Sequence, residues 1–302
     1  MSGAPVAVAH EPPAMRERLE RAFLAACRLD VESFKPGNVS LASPGHGMRA
    51  EDFLDSARAA AQPLCAVGAG VGARILAAVR ATRAAVGCNT NLGIVLLAAP
   101  LLAAAERRRR GEPLRAALSR VLAALDREDA ALAYRAIVLA NPAGLGRRAR
   151  HDVRQTPQIG LRQAMAEAAR EDLVARQYVS DYASVWDLGL PTWHAARARG
   201  ARPDAALVEV YLAFLAAYPD SHVRRKHGAR RAAALRRAVG ALRARLALAD
   251  ERSARATLET FDRRLKRGGI NPGTSADLAV TTALAAHLEN VPAARAWGAQ
   301  PR

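Results

Sequence analysis

Leu92–Ala105 reads LGIVLLAAPLLAAA, an apolar run without a polar face, closed by Glu106 and four consecutive arginines. A surface helix carries one apolar stripe, whereas a helix that is apolar all round has to be enclosed. The run falls short of the roughly 20 residues needed to cross a bilayer. It belongs in the middle of a helical core, and the rest of the chain must supply the helices that surround it.

The flanking sequence predicts such helices. Leu19, Phe23, Ala26, Cys27 and Val31 share one face of a helix from Met15 to about Ser33. A second helix begins after Arg49, with Glu51 and Asp52 at its electropositive end. Others are expected over 75–86, from Thr90 or Asn91 onward, and over 112–125, 129–139, 161–185, 204–218, 229–248, 252–265 and 275–288. Coil is expected at 187–192, 199–203, 219–228 and 267–274, and Asn141–Gly160 is the longest loop. Gln62-Pro63 marks a kink or a restart. No segment sustains strand alternation, and Gly68, Gly70 and Gly72 lack the preceding strand of a dinucleotide turn. Of the 302 residues 51% are hydrophobic and only 4% aromatic, so the core is built from closely packed small side chains. The expected fold is all-α, a compact multi-helix bundle with a loop-built active-site cleft. Residues 1–13, with Pro5, Pro12 and Pro13, form a flexible leader, and 14–302 a single helical catalytic domain.

Lys and Arg number 45 against 28 Asp and Glu, a formal charge of +17. That balance attracts anions, and Arg147, Arg148, Arg150 and Arg154 make the 141–160 loop strongly cationic. Zinc-finger spacing, RNP-like aromatic strands and helix-turn-helix punctuation are missing, which argues against nucleic acid as partner. A polyphosphate substrate accounts for part of the charge; arginine serving as the solvent-facing helix former accounts for it as well. Cys27, Cys65 and Cys88 read as reduced core residues of a cytoplasmic protein, and neither a signal peptide nor a membrane span is indicated.

Four polar islands carry the candidate chemistry. In Lys35-Pro36-Gly37-Asn38 a lysine charge adjoins a glycine that lets backbone approach an anion, although helix termination explains Pro36-Gly37 equally. In Asn89-Thr90-Asn91-Leu92-Gly93, amide and hydroxyl groups precede the apolar run, either as a helix cap or as donors to phosphate and ribose. Asp220 to Gly228 combines a carboxylate able to hold Mg²⁺, a neutral His222 able to accept a proton, and the phosphate clamps Arg225 and Lys226; a basic helix start capped by Asp220 is the alternative. In Gly273-Thr274-Ser275-Ala276-Asp277, Asp277 either stabilises a helix start or binds a hydrated Mg²⁺.

The ordered set KPGNVS, GCNTNLG, PDSHVRRKHG and NPGTSADL resembles the triphosphoribosyl-dephospho-coenzyme A synthase family over about residues 20–290. The resemblance implies an all-helical enzyme that uses ATP as triphosphoribosyl donor. It joins C1′ of the donor ribose to the ribose 2′-hydroxyl of dephospho-coenzyme A and releases adenine. It also implies that Lys35 and Gly37, then Asn89, Thr90 and Gly93, then Arg225, and finally Gly273 and Ser275 hold the nucleotide and its phosphates; from the chemistry of the islands, Asn38, Asn91 and Lys226 are expected to bind beside them. Asp220 and Asp277 are the expected Mg²⁺ ligands, and His222 or Asp152 the expected catalytic base. The usual member has histidine and lysine where this chain has Asn91 and Leu92, and a carboxylate of the preceding helix is replaced near Arg74. The NTNLG form looks like a divergent branch found with methanopterin-dependent metabolism, so a ribose-containing or pterin-related acceptor is expected beside ATP, and Asn91 is the expected specificity element. A non-enzymatic nucleotide-binding protein and a homodimeric assembly also stay open at this stage.

Overall fold

The computed structural model describes residues 14–147 and 150–293; the expected leader at 1–13 and Arg148 of the cationic loop lie outside the described residues. Those residues form α1 (Met15–Glu32), α2 (Ala50–Leu64), α3 (Val71–Val86), α4 (Leu92–Glu106), α5 (Leu114–Ala123), α6 (Arg127–Ala140), α7 (Leu161–Ala166) and α8 (Leu173–Val179). A π-helical turn (Val185–Gly189) leads to α9 (Leu190–Ala198), α10 (Pro203–Ala217), α11 (Ser221–His227), α12 (Ala229–Leu246), α13 (Glu251–Arg267) and α14 (Gly273–Glu289). The fold is all-α, with 14 α-helices, 69% helix and no strand among the described residues. None of these helices is long and apolar enough to cross a membrane.

The apolar run is α4, buried from Leu92 to Ala105 except at Gly93. Its companion is α14, whose alanines, threonines and leucines are buried on every side against α1, α4 and α10. Pro100 interrupts α4: it has no N–H, so the carbonyl of Leu96 one turn earlier loses its helical partner. Tyr178 Oη donates to that carbonyl (2.6 Å), and Tyr182 Oη donates to the next, on Leu97 (2.9 Å). Both phenols are fully buried. Two of the few aromatic residues thus repair the backbone of the central helix, a reason for their presence that no periodicity reveals.

Of the glycines at 68, 70 and 72, Gly68 turns the chain at φ 82° and Gly72 marks a close helix contact. A Cβ on Gly72 would lie 2.6 Å from Cα of Asp129 on α6, and the Gly72 N–H donates to the Asp129 carboxylate (2.7 Å). Pro63 is accommodated within the last turn of α2 rather than restarting it.

Three expectations need correction. Residues 187–192 are helical, not coil: the π-helical turn runs directly into α9, Pro191 sits in the first turn of α9, and Gly189 is required by packing rather than by a turn. Residues 219–228 contain α11, which Asp220 caps and Gly228 ends at φ 85°. The single helix expected over 161–185 is two short ones, and Asp181 and Tyr182 at positive φ break the second. Cys27 and Cys65 are buried and free, as expected, whereas Cys88 is exposed in the turn after Gly87.

Candidate functional site

The two central helices begin side by side. Gly93 in the first turn of α4 faces Asp277 in the first turn of α14, and a Cβ on Gly93 would lie 2.5 Å from the carboxyl carbon of Asp277 and nearer still to Oδ2. Glycine at 93 is therefore a slot for the Asp277 side chain. The slot opens on a cavity of about 600 Å³, whose lining includes Asn38, Asn89, Thr90, Gly93, His222, Arg225, Lys226, Gly273 and Asp277. All four sequence islands contribute. The walls are nonetheless as much helix as loop, since faces of α4, α6, α7 and α8 complete them.

Several expected site residues do not reach this cavity; the local bonding explains why. The Lys35 ammonium is buried against Asp30 Oδ1 at 3.1 Å and donates to the carbonyls of Asp30 and Ser33, so it is fixed beneath the site instead of free to meet a phosphate. The Gly37 N–H, at φ 82°, donates to Asp262 Oδ1 (2.7 Å), and a Cβ there would lie 2.8 Å from Leu265 Cδ1. Asn91 turns away toward α3, where its amide donates to Thr82 Oγ1 (3.2 Å); the side chain that caps α4 is Asn89, whose Oδ1 accepts the Leu92 N–H. Of the three positions that depart from the family pattern, Asn91, Leu92 and Arg74, only Leu92 lines the cavity. Arg74 is remote from it as well, buried in an ion pair with Glu106 and donating to the Leu64 carbonyl.

The expected metal pair fails for the same reason. Asp220 is fully buried: Oδ1 accepts the Val223 N–H (3.0 Å), and Oδ2 accepts both the N–H and the hydroxyl of Ser275 (2.8 Å each). This carboxylate and Ser275 tie the start of α11 to the start of α14, and burial outweighs those bonds in raising the Asp220 pKa. Asp152 does not line the cavity; its carboxylate accepts from the backbone and guanidinium of Arg154. The base role expected of it has no geometry here.

The sequence reading missed Asp30, which does line the cavity, as do His46 and Asp172. Asp30 continues the buried face of α1 through Leu19, Phe23, Ala26 and Cys27, and a carboxylate on an apolar face was the signal. Asp172 caps α8 through Oδ1 and receives Arg225 on Oδ2 (2.6 Å), which aims that guanidinium along the cavity wall. Asn38 and Asn271 join the first and last islands, Nδ2 donating to Oδ1 at 2.9 Å, and Asn38 Oδ1 has no hydrogen-bond partner.

Burial, together with the negative charges of Asp30 and Asp220, holds the Asp277 carboxyl well above the ordinary value of 3.8. Burial and the nearby Arg225 and Lys226 push His222 down to about 4, so its imidazole is neutral at physiological pH. Its ring stands over Gly273, where a Cβ would lie 2.8 Å from Nδ1. The arrangement offers the carboxyl groups of Asp30, Glu167, Asp172 and Asp277, the neutral imidazole of His222, cationic Arg225 and Lys226, and several amides around one space. No cluster of three His, Cys, Asp or Glu side chains able to hold a metal occurs among the described residues.

The family model described as CitG, ATP:dephospho-CoA triphosphoribosyl transferase, matches residues 16–295. Among solved structures, the chain is similar to a candidate triphosphoribosyl-dephospho-coA synthase from Archaeoglobus fulgidus, with a TM-score of 0.61 and 23% identity over 79% of this chain and 100% of that one. At this identity the likeness speaks for the fold. No curated protein matches the sequence.

Proposed function

We propose, from the premise that this chain belongs to the CitG family of ATP:dephospho-CoA triphosphoribosyl transferases, that it transfers the triphosphoribosyl group of ATP to dephospho-coenzyme A within the cavity at the starts of α4 and α14. The observation that carries the reading is the Asp277 carboxylate, seated in the Gly93 slot where all four islands converge.

In this reaction the bond between C1′ and adenine N9 breaks and a bond from C1′ to the acceptor 2′-oxygen forms. The hydroxyl loses a proton and the departing adenine gains one, so protons balance. Arg225 and Lys226 take the triphosphate, and Asn89 and Thr90 orient the donor ribose. Neutral His222 accepts the hydroxyl proton; although its pKa near 4 makes it a weak base, the oxygen becomes strongly acidic once it bonds C1′. General base assistance of this kind contributes about 10²–10⁴ in rate.

Asp30 and Asp277, in place of the Asp220–Asp277 pair, would hold Mg²⁺ together with substrate phosphates, because hard carboxylate oxygens suit that ion. It would neutralise triphosphate charge. Lys35 then acts by fixing Asp30 and is not itself a ligand for phosphate. Neither a pterin-related acceptor nor a homodimer forms part of this reading.

Purified protein given ATP, Mg²⁺ and dephospho-coenzyme A is expected to release adenine in step with a triphosphoribosylated product, followed by mass spectrometry. ADP as sole product, or saturable ATP binding without adenine, overturns the assignment.

A further inference from the structure

A transfer between two nucleotides has to seat both at once. The cavity at Asp277, about 600 Å³, lies in the middle of the range for one ligand of moderate size. Dephospho-coenzyme A is far longer than its reacting ribose, since a diphosphate and an aliphatic amide arm extend from the 5′-carbon. The arm needs a second space.

Such a space adjoins the first. A groove of about 580 Å³ runs between α3, α6 and the 153–157 segment, and Tyr134 and Val153 line both it and the cavity. These two side chains are the wall between them. The Tyr134 hydroxyl donates to the His151 carbonyl (3.0 Å), so the wall is latched by the same loop that closes the cavity. The groove is lined by Leu76, Leu139 and Val138 on the apolar side and by Arg80, Arg135 and Arg154 on the charged side, with no carboxylate in its lining. Arg154 is held by Asp152 and the Gly146 carbonyl. Arg80 and Arg135 are exposed and enter no ion pair among the described residues. Arginines spaced beside a strip of aliphatic surface suit a molecule that is anionic at one end and a neutral chain at the other.

We propose that this groove is the acceptor subsite: Arg80 and Arg135 take the diphosphate of dephospho-coenzyme A, the aliphatic strip takes its amide arm, and the acceptor ribose crosses the Tyr134–Val153 wall into the cavity. The proposal rests on the transferase reading above. It assigns no groove residue to the chemical step, so its signature is a change in acceptor binding alone.

The test is the double variant Arg80→Ala, Arg135→Ala. Both side chains are exposed, and an unchanged thermal melt confirms folding. The KM for dephospho-coenzyme A is expected to rise about five- to tenfold, as suits two partly solvated charge-assisted contacts, while the KM for ATP stays within twofold. Adenosine 5′-monophosphate, which offers the same ribose without the arm, should respond much less than the full acceptor. An unchanged KM for dephospho-coenzyme A, or equal rises for donor and acceptor, overturns the proposal; the second result gives the groove to the ATP triphosphate. Calorimetry with 4′-phosphopantetheine, the arm alone, separates this idea from the transferase reading. If wild-type protein releases no adenine, the reaction assignment fails, yet saturable binding of the arm that the double variant loses still supports the groove. Arm binding that is absent, or indifferent to the substitutions, sinks it.

Discussion

Replacing Gly93 with alanine is the sharpest perturbation the site allows, because a single methyl would occupy the space of the Asp277 carboxylate. The added Cβ would lie 2.5 Å from the carboxyl carbon and 3.1 Å from Oδ1, so Asp277 must leave its rotamer or α4 must withdraw from α14. Overpacking of this kind costs about 1–3 kcal/mol, and alanine returns about 1 kcal/mol through helix propensity. The net loss is therefore about 0–2 kcal/mol, equivalent to a fall in Tm of a few degrees for a domain of this size. Turnover should suffer far more, because a misplacement of about 1 Å at a reacting centre costs about 100-fold. Adenine release by Gly93→Ala is expected to drop by that order while circular dichroism and melting stay near wild type. A second measurement fixes the cause: in an Asp277→Ala background the obstacle is gone, and Gly93→Ala should become neutral or stabilising by up to about 1 kcal/mol. Wild-type turnover in the single variant, or the same destabilisation in both backgrounds, would refute the slot.

Three further outcomes follow from the local bonding. A carboxyl with a raised folded pKa contributes stability that is full below the ordinary 3.8 and is lost as pH rises through the folded value; Asp277→Asn should thus gain Tm relative to wild type as pH is raised from 5 to 9, and a gap that narrows would contradict the burial of that charge. Lys35→Met leaves the Asp30 carboxylate without its buried partner and should cost about 3–5 kcal/mol in urea unfolding, whereas a loss confined to ATP affinity would restore lysine to the phosphate site. Asn91→His breaks the bond to Thr82 and should cost about 1–3 kcal/mol without altering the ratio of rates on alternative acceptors; a changed ratio would return Asn91 to a role in specificity.

How much of this was legible in the chain depends on what each signal reports. The all-round apolar run gave α4 and with it the helical fold, because enclosure follows from composition alone. The islands converge on one cavity, for glycine and asparagine cluster where helices start close together. Which island members face a ligand was not legible. Lys35, Gly37, Asn91, Asp220 and Ser275 have the residue types of a binding site, yet each spends its polar groups inside the protein: Lys35 on Asp30 and the Ser33 carbonyl, Asn91 on Thr82, and, across segments that local sequence cannot pair, Gly37 on Asp262 and Asp220 on Ser275. Asp30 escaped for the opposite reason: it lies on the buried face of a helix, in its last turn, rather than in an island. The start of the helix at 190–198, and the helix at 221–227, were read as coil because Gly189, Pro191 and Gly228 are breakers in isolation, whereas here they are a packing contact, a first-turn proline and a terminus.

Two side chains of α14 sit in glycine slots on different neighbours: Asp277 against Gly93 of α4, and Thr282 against Gly189, where a Cβ would also lie 2.8 Å from Phe214. A helix held by two notches cannot slide or rotate by one residue without losing both, so substitutions along it must come in matched pairs across separate segments. That makes the floor of the cavity slow to diverge by single steps. Descendants of this chain that acquire a new acceptor have an easier route through the outer wall, where exposed Arg80 and Arg135 can change one at a time without disturbing how the core is assembled.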